Sequence, residues 1–165
     1  MYVRVQQAKR DGDVETLVEA LQDDVEGHLA ARYLGDLRAV AAIPALMPLL
    51  NSGDPHQRAS SARALGLMDA SISCSRLSEV ARTDAVPWVR ACATEAVGRL
   101  SDHGRVDLLV EALDDKDIRV RRVAVVGLMN AGRPESIPAL REARKREHVY
   151  SRRIYSKAIR RLNRH

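Results

Sequence analysis

Arginine recurs along this 165-residue chain at intervals that would let one planar cation do the same job several times. Arg58, Arg90, Arg119 and Arg152 are separated by 32, 29 and 33 residues. A guanidinium presents a fixed fork of donors, which suits repeated pairing with carboxylates and backbone carbonyls better than an ammonium would. A second set is mixed in character: Trp88, Cys92, Glu95 and Arg99 follow one another at steps of four, three and four residues. That spacing puts them on one helix face, and Trp is a residue type enriched at binding hot spots. A third set is cationic. Arg121-Arg122, Arg144-Lys145-Arg146, Arg152-Arg153 and Arg160-Arg161 crowd the last third of the chain. From Ser101 onward 16 basic side chains face 9 acidic ones, whereas through Leu100 the numbers are 11 and 13. Clustered cations of this kind are what phosphate backbones bind, and a charge asymmetry between halves points to an anionic partner.

Catalytic and metal chemistry find little support. The five histidines (His28, His56, His103, His148 and His165) are scattered, and no metal spacing relates Cys74 to Cys92. There is no Gly-rich phosphate loop or nucleophile motif, and no cofactor is expected. Residues 1–12 carry charges without the apolar stretch of a signal peptide, and no apolar run reaches the roughly 20 residues of a membrane helix. A cytoplasmic chain with no membrane partner is expected.

These groups need a scaffold, and the chain supplies it by repetition. Leu17-Val18-Glu19-Ala20-Leu21 returns as Leu109-Val110-Glu111-Ala112-Leu113, and Ile43-Pro44-Ala45-Leu46 as Ile137-Pro138-Ala139-Leu140. An Ala-x-small-x-aliphatic-Gly signature ends at Gly35, Gly66, Gly98 and Gly127, and a fifth copy ends at Arg160. Apolar residues three and four apart mark helices, and no segment alternates with period two. Asp54-Pro55 reads as an N-cap with Pro at the first helical position. Pro44 and Pro138 open first helices in the same way, while Asn51-Ser52-Gly53, Asp114-Asp115 and Gly132-Arg133-Pro134 read as turns. A period near 31 residues means stacked helix pairs.

The unit length, the two-helix reading and the Arg eight residues before the Gly slot resemble HEAT repeats of the short bacterial type. The first unit departs from the pattern, with Gly27 where the Arg should be. The resemblance implies an all-α, right-handed α-solenoid of about five stacked helix pairs. A single domain is expected, with units near 14–42, 43–71, 72–105, 106–136 and 137–165 behind an N-terminal extension of 1–13. It implies that the recurring Arg pairs with turn acids such as Asp54, Asp84, Asp114 or Asp115. It also implies that the second helices line a concave face. The stripe ten, six and three residues before the Gly slot and one after it then reads Val25/Leu29/Arg32/Asp36, His56/Ser60/Arg63/Leu67 and Trp88/Cys92/Glu95/Arg99. It continues as Asp117/Arg121/Ala124/Leu128 and Tyr150/Ile154/Lys157/Arg161.

Core positions converge between repeats because the packing repeats; this stripe diverges, as a surface fitted to one partner would. The leading expectation is therefore a protein- or peptide-binding adaptor using His56, Arg63, Trp88, Cys92, Glu95, Arg99, Arg121, Tyr150 and Lys157. The alternative is nucleic-acid or other polyanion binding through Arg121, Arg144, Lys145, Arg146, Arg152, Arg153 and Arg161, against the plainer expectation of a charged terminal cap. Bilin lyase subunits and HEAT-like DNA glycosylases are more distant resemblances. The glycosylase cleft is matched only by Trp88 with Glu95, and no His here is followed by the Glu of the metal-binding HEAT hydroxylases.

Overall fold

The computed structural model describes residues 3–100 and 104–164, and within them the chain forms only helices and turns. Helix α1 (Val3–Asp11) precedes five pairs: α2 (Val14–Glu19) with α3 (Gly27–Asp36), α4 (Ile43–Leu46) with α5 (Pro55–Leu67), α6 (Cys74–Thr83) with α7 (Pro87–Arg99), α8 (Arg105–Glu111) with α9 (Ile118–Ala131), and α10 (Ile137–Arg146) with α11 (Arg152–Leu162). The architecture is the all-α solenoid that the repeats imply. Residues 3–11 are more than an extension. Val5 and Ala8 are buried, and the Lys9 ammonium meets Asp36 at 2.8 Å, so α1 covers the apolar edge of the first pair.

Local sequence explains where the helices start and stop. Asp54 accepts hydrogen bonds from the backbone of His56 and Gln57, satisfying donors that the first turn leaves open. Pro48 cannot donate to the carbonyl four residues back, so α4 stops at Leu46 and the chain continues as a 3₁₀ segment over Pro48–Asn51. Three of the second helices, α3, α5 and α9, run into left-handed residues at Arg38, Asp69 and Gly132.

The second helices pack directly on one another through small residues. A methyl added to Gly35 would stand 2.8 Å from Ala64 Cα, and one on Gly66 2.5 Å from Ala96 Cα. Gly98 faces Gly127, whose Cα would lie 3.4 Å from such a methyl. Each Gly thus meets, on the next second helix, the residue two places before that helix's own slot.

This geometry corrects the register of the fourth unit. The signature assigns Gly127 to the slot, but Gly127 occupies the facing position held elsewhere by Ala64 and Ala96. The slot itself belongs to Met129, three residues before the left-handed Gly132, just as Gly35 and Gly66 precede Arg38 and Asp69. With Met129 in place, successive slots lie 31, 32, 31 and 31 residues apart.

The second helices thus form one continuous layer, each packed on the next. Beneath them the buried apolar residues fall into two groups, one from Val5 to Leu108 and one from Leu109 to Leu162. Leu109 fills the space beside Gly98 and Gly127, where the facing backbones bring no side chains of their own.

Candidate functional site

Two constellations emerge, one internal and one facing solvent. The internal one is a ladder of arginines along the turns. Arg58 Nε and Nη2 donate to Asp84 at 2.7 and 3.0 Å, while Nη1 donates to the Ser52 carbonyl at 2.9 Å. Arg90 makes the same pattern with Asp115 (2.8 and 2.9 Å) and the Asp84 carbonyl (2.9 Å). Arg121 continues it with Glu147 (2.5 Å) and the Asp115 carbonyl (2.9 Å). The last rung, Arg152, donates to the carbonyls of Glu147 and Lys145. The second carboxylate oxygens also work: Asp84 Oδ1 accepts from the Val86 amide and Asp115 Oδ1 from the Asp117 amide.

Arg119, the expected rung, is instead exposed and paired with Asp117 on its own turn. Arg121, expected on the binding stripe and in the polyanion set, lies in the ladder because the fourth unit's register is shifted by two. The first joint lacks both halves of the rung, with Gly27 in place of the Arg and Ser52 in place of the acid. Gln57 substitutes, donating to the Leu21 carbonyl at 2.7 Å and bonding Ser52.

The ladder carboxylates make stability pH-dependent. Burial pushes the Asp84 and Asp115 carboxyls up, but the Arg58 and Arg90 guanidinium bonds and the backbone amides outweigh it, leaving both below the usual range. The Arg121 bond, opposed by burial, holds Glu147 down as well, helped by the Tyr155 hydroxyl donating at 3.1 Å. Groups with depressed folded pKa values stabilise fully above their unfolded values and lose that contribution as pH falls. Thermal midpoints should therefore hold steady at neutral pH and fall progressively below about pH 4–5, where free Asp and Glu begin to protonate. Replacing Asp115 by Asn should lower the neutral midpoint and flatten this acid limb.

The solvent-facing constellation is the stripe. With the register corrected, its fourth row is Arg119/Val123/Val126/Asn130; the expected Ala124 and Leu128 are fully buried core residues. Every one of the twenty stripe positions then retains solvent access. His28, His56 and Trp88 run along it as a chain of rings, with centroids 6.0 and 5.9 Å apart. Trp88 is 40% exposed, and Arg63 lies beyond it on α5. Cys92 is half-buried; burial and then Glu95 push its thiol up against the opposing pull of Arg63, so it is a poor nucleophile. Glu95 is held by Arg99 at 2.8 Å. Tyr150 projects from the last row, 86% exposed and stacked on His148. Removing Trp88 or Arg63 as Ala should leave helicity and the thermal midpoint almost unchanged, because neither supports the core; circular dichroism checks this.

Two openings lie on this face. A cavity of about 490 Å³ sits between α7 and α9, floored by Gly98 and Gly127 and lined by Glu95, Arg99, Arg119, Val123, Val126 and Asn130. A second, of about 700 Å³, lies between α9 and α11 and includes Tyr150, Arg153 and Lys157. The remaining basic residues diverge. Arg146 pairs with Asp114, Lys145 with Glu142, and Arg144 with the Ser156 hydroxyl, all through α10. Arg153 and Arg161 extend from α11 instead. Among the described residues no group of three His, Cys, Asp or Glu could hold a metal ion, and His103 and His165 lie outside them. No helix among the described residues is long and apolar enough to cross a membrane.

The family model for HEAT repeats matches residues 14–98 and again 77–159. The chain belongs to the HEAT-repeat family. Its sequence matches no curated protein. Among solved structures it is similar to the CpcE–CpcF complex of phycocyanin lyase from Nostoc sp. PCC7120, at 21% identity over 90% of this chain and 98% of that one, with a TM-score of 0.73. A designed armadillo repeat protein in complex with the peptide (KR)4 superposes with a TM-score of 0.75, at 18% identity, covering 96% of this chain and 85% of that one. Computationally designed armadillo repeat proteins for modular peptide recognition give 0.70 at 18% identity, covering 95% and 85%.

Proposed function

We propose that this chain is a protein- or peptide-binding scaffold whose recognition surface is the concave face of the second helices. The observation that carries the reading is the stripe: twenty positions that all reach solvent and differ from row to row, seven of which border a cavity of about 490 Å³. The internal positions do the opposite, returning to Ala and Leu from unit to unit, and to Arg in every unit after the first, because neighbouring units pack in the same way. Solenoids of the same fold recognise peptides in the designed armadillo proteins, one of which is solved with a bound (KR)4 peptide. A polyanion surface is less favoured, since Arg121 and Arg152 are committed to the ladder and Arg146 and Lys145 have acidic partners of their own.

Affinity capture from the native host, with and without nuclease, tests the assignment. Nuclease-resistant protein partners should be recovered, lost on Val126→Asp in the second-helix layer and kept on Ile72→Asp, an exposed position in the turn before α6. Recovery that vanishes with nuclease, or that Val126→Asp leaves untouched, would overturn it.

A further inference from the structure

The joint between α9 and α11 is built differently from the two joints before it. Seven residues before the slot, the place on the same helix face as the slot holds Ala59 in α5 and Ala91 in α7, so Ala with Gly66 or Gly98 lets the helices close up. In α9 these two places hold Arg122 and Met129. Two long side chains replace two of the smallest, and the opening of about 700 Å³ lies at this joint. Its wall carries Arg122, Arg153, Lys157 and Arg160 beside Tyr150 and Ile154, and no carboxylate lines it. Arg90, Arg119, Arg121 and Arg146 find acids, whereas among the described residues these four cations meet none. Arg122 and Ile154 also line the cavity between α7 and α9, so the two openings form one groove. The wall of that cavity is aliphatic at Ile118 and Val126, which are 44% and 38% exposed.

We infer that this groove takes an acidic peptide segment, with an aliphatic side chain seated between α7 and α9 and neighbouring Asp or Glu side chains on Arg122, Arg153, Lys157 and Arg160. The inference rests on the scaffold reading and gives the partner its chemistry. Unpaired like charges around one opening repel each other, and carboxylates relieve that while accepting the guanidinium fork bidentately. An extended chain advances about 3.3–3.6 Å per residue, so charges and an apolar anchor on one peptide can reach adjacent openings. A nucleic-acid strand matches less of the groove. Sequence-tolerant binding of single strands relies on aromatic stacking platforms, and here Tyr150 alone could serve, leaving Ile118, Val126 and Ile154 without a counterpart. A cationic peptide such as (KR)4 would be repelled.

Selection of random dodecamer peptides displayed on phage, followed by fluorescence anisotropy with synthetic copies, tests this. Enriched peptides should carry Asp or Glu next to Leu, Ile, Val or Met. Changing their acids to amides should weaken binding by about tenfold or more, and so should raising the salt, as expected of a charge-driven contact. Arg122→Glu with Lys157→Glu should abolish binding, and Arg153→Glu with Arg160→Glu provides a second reversal should the first pair fail to fold. Enriched peptides that are neutral or basic, or that survive both reversals while losing affinity on Val126→Asp, would overturn the acidic-peptide inference and leave the scaffold reading standing. An unlabelled dT12 oligonucleotide that displaces the peptides and binds more tightly would overturn the inference in favour of a polyanion. A selection that enriches nothing would count against both readings.

Discussion

Arg90→Ala and Arg121→Ala should each destabilise the fold by about 3–5 kcal/mol, the cost of leaving one member of a buried ion pair without the other. Arg90 is 3% exposed, and its removal strands the Asp115 carboxylate together with the Asp84 carbonyl at the neighbouring turn. Arg121→Ala strands Glu147, which is itself buried beneath Tyr155. Arg119→Ala should leave the thermal midpoint within error of the parent, because Arg119 is exposed and bonded only to Asp117 on its own turn. Sequence spacing from Gly127 predicts the reverse order for residues 119 and 121. Melts of the three variants decide between the two registers, and an Arg119→Ala loss equal to that of Arg121→Ala would return the fourth rung to Arg119.

The second large effect separates two glycines that look alike in sequence. In a helix interior Gly→Ala normally gains about 0.5–1 kcal/mol through backbone entropy. At Gly98 the new methyl would meet Gly127 Cα at 3.4 Å and Leu109 at 3.6 Å, ordinary contact distances, so the gain should survive. At Gly66 the methyl would lie 2.5 Å from the Cα and 2.7 Å from the Cβ of Ala96. Those atoms belong to a helix backbone and its first side-chain carbon, and they cannot rotate away. Overpacking of this kind costs about 1–3 kcal/mol or more. Gly66→Ala should therefore melt several degrees below the parent and Gly98→Ala at or above it. Denaturant titration measures both, and a stabilised Gly66→Ala would contradict the helix spacing described.

Much of this architecture is legible in the residues. The paired apolar positions, the Pro-opened helices, the Asp54 cap and the small residues between second helices all follow from local rules, and the structure places them so. The fourth unit misleads for a physical reason. Glycine serves two purposes here, as the slot that approaches its neighbour and as the surface approached, and Val123-Ala124-Val125-Val126-Gly127 imitates the first while doing the second. The ladder contains the signal that resolves it. The rungs Arg58, Arg90 and Arg121 find their acids 26, 25 and 26 residues later, at Asp84, Asp115 and Glu147. The residue 26 after Arg119 is Lys145. The stripe was legible in four rows of five for the same reason, and its fourth row returns once the ladder sets the count. The cationic groove was hidden, since Arg122 looks like one more charge in a basic segment until Ala59 and Ala91 are recognised as its equivalents in the two preceding units.

The facing glycines beneath the first cavity carry a dynamic consequence. Where Gly98 meets Gly127 the two groups of buried apolar residues adjoin, with Leu109 packed beside both backbones. In a repeat stack, stability is a sum of units and nearest-neighbour interfaces, so the border between the two apolar groups, spanned by Leu109 and the Arg90–Asp115 rung, is where cooperativity would divide. Amide hydrogen exchange should show two protection classes, residues 3–100 opening as one block and 109–162 as another. A ligand lying in the cavity touches Glu95 and Arg99 on one block and Val123, Val126 and Asn130 on the other. Occupancy would then act as a clasp, merging the two exchange classes into one, and the slowing of α9 and α11 amides would report binding even where no atom of α10 or α11 moves.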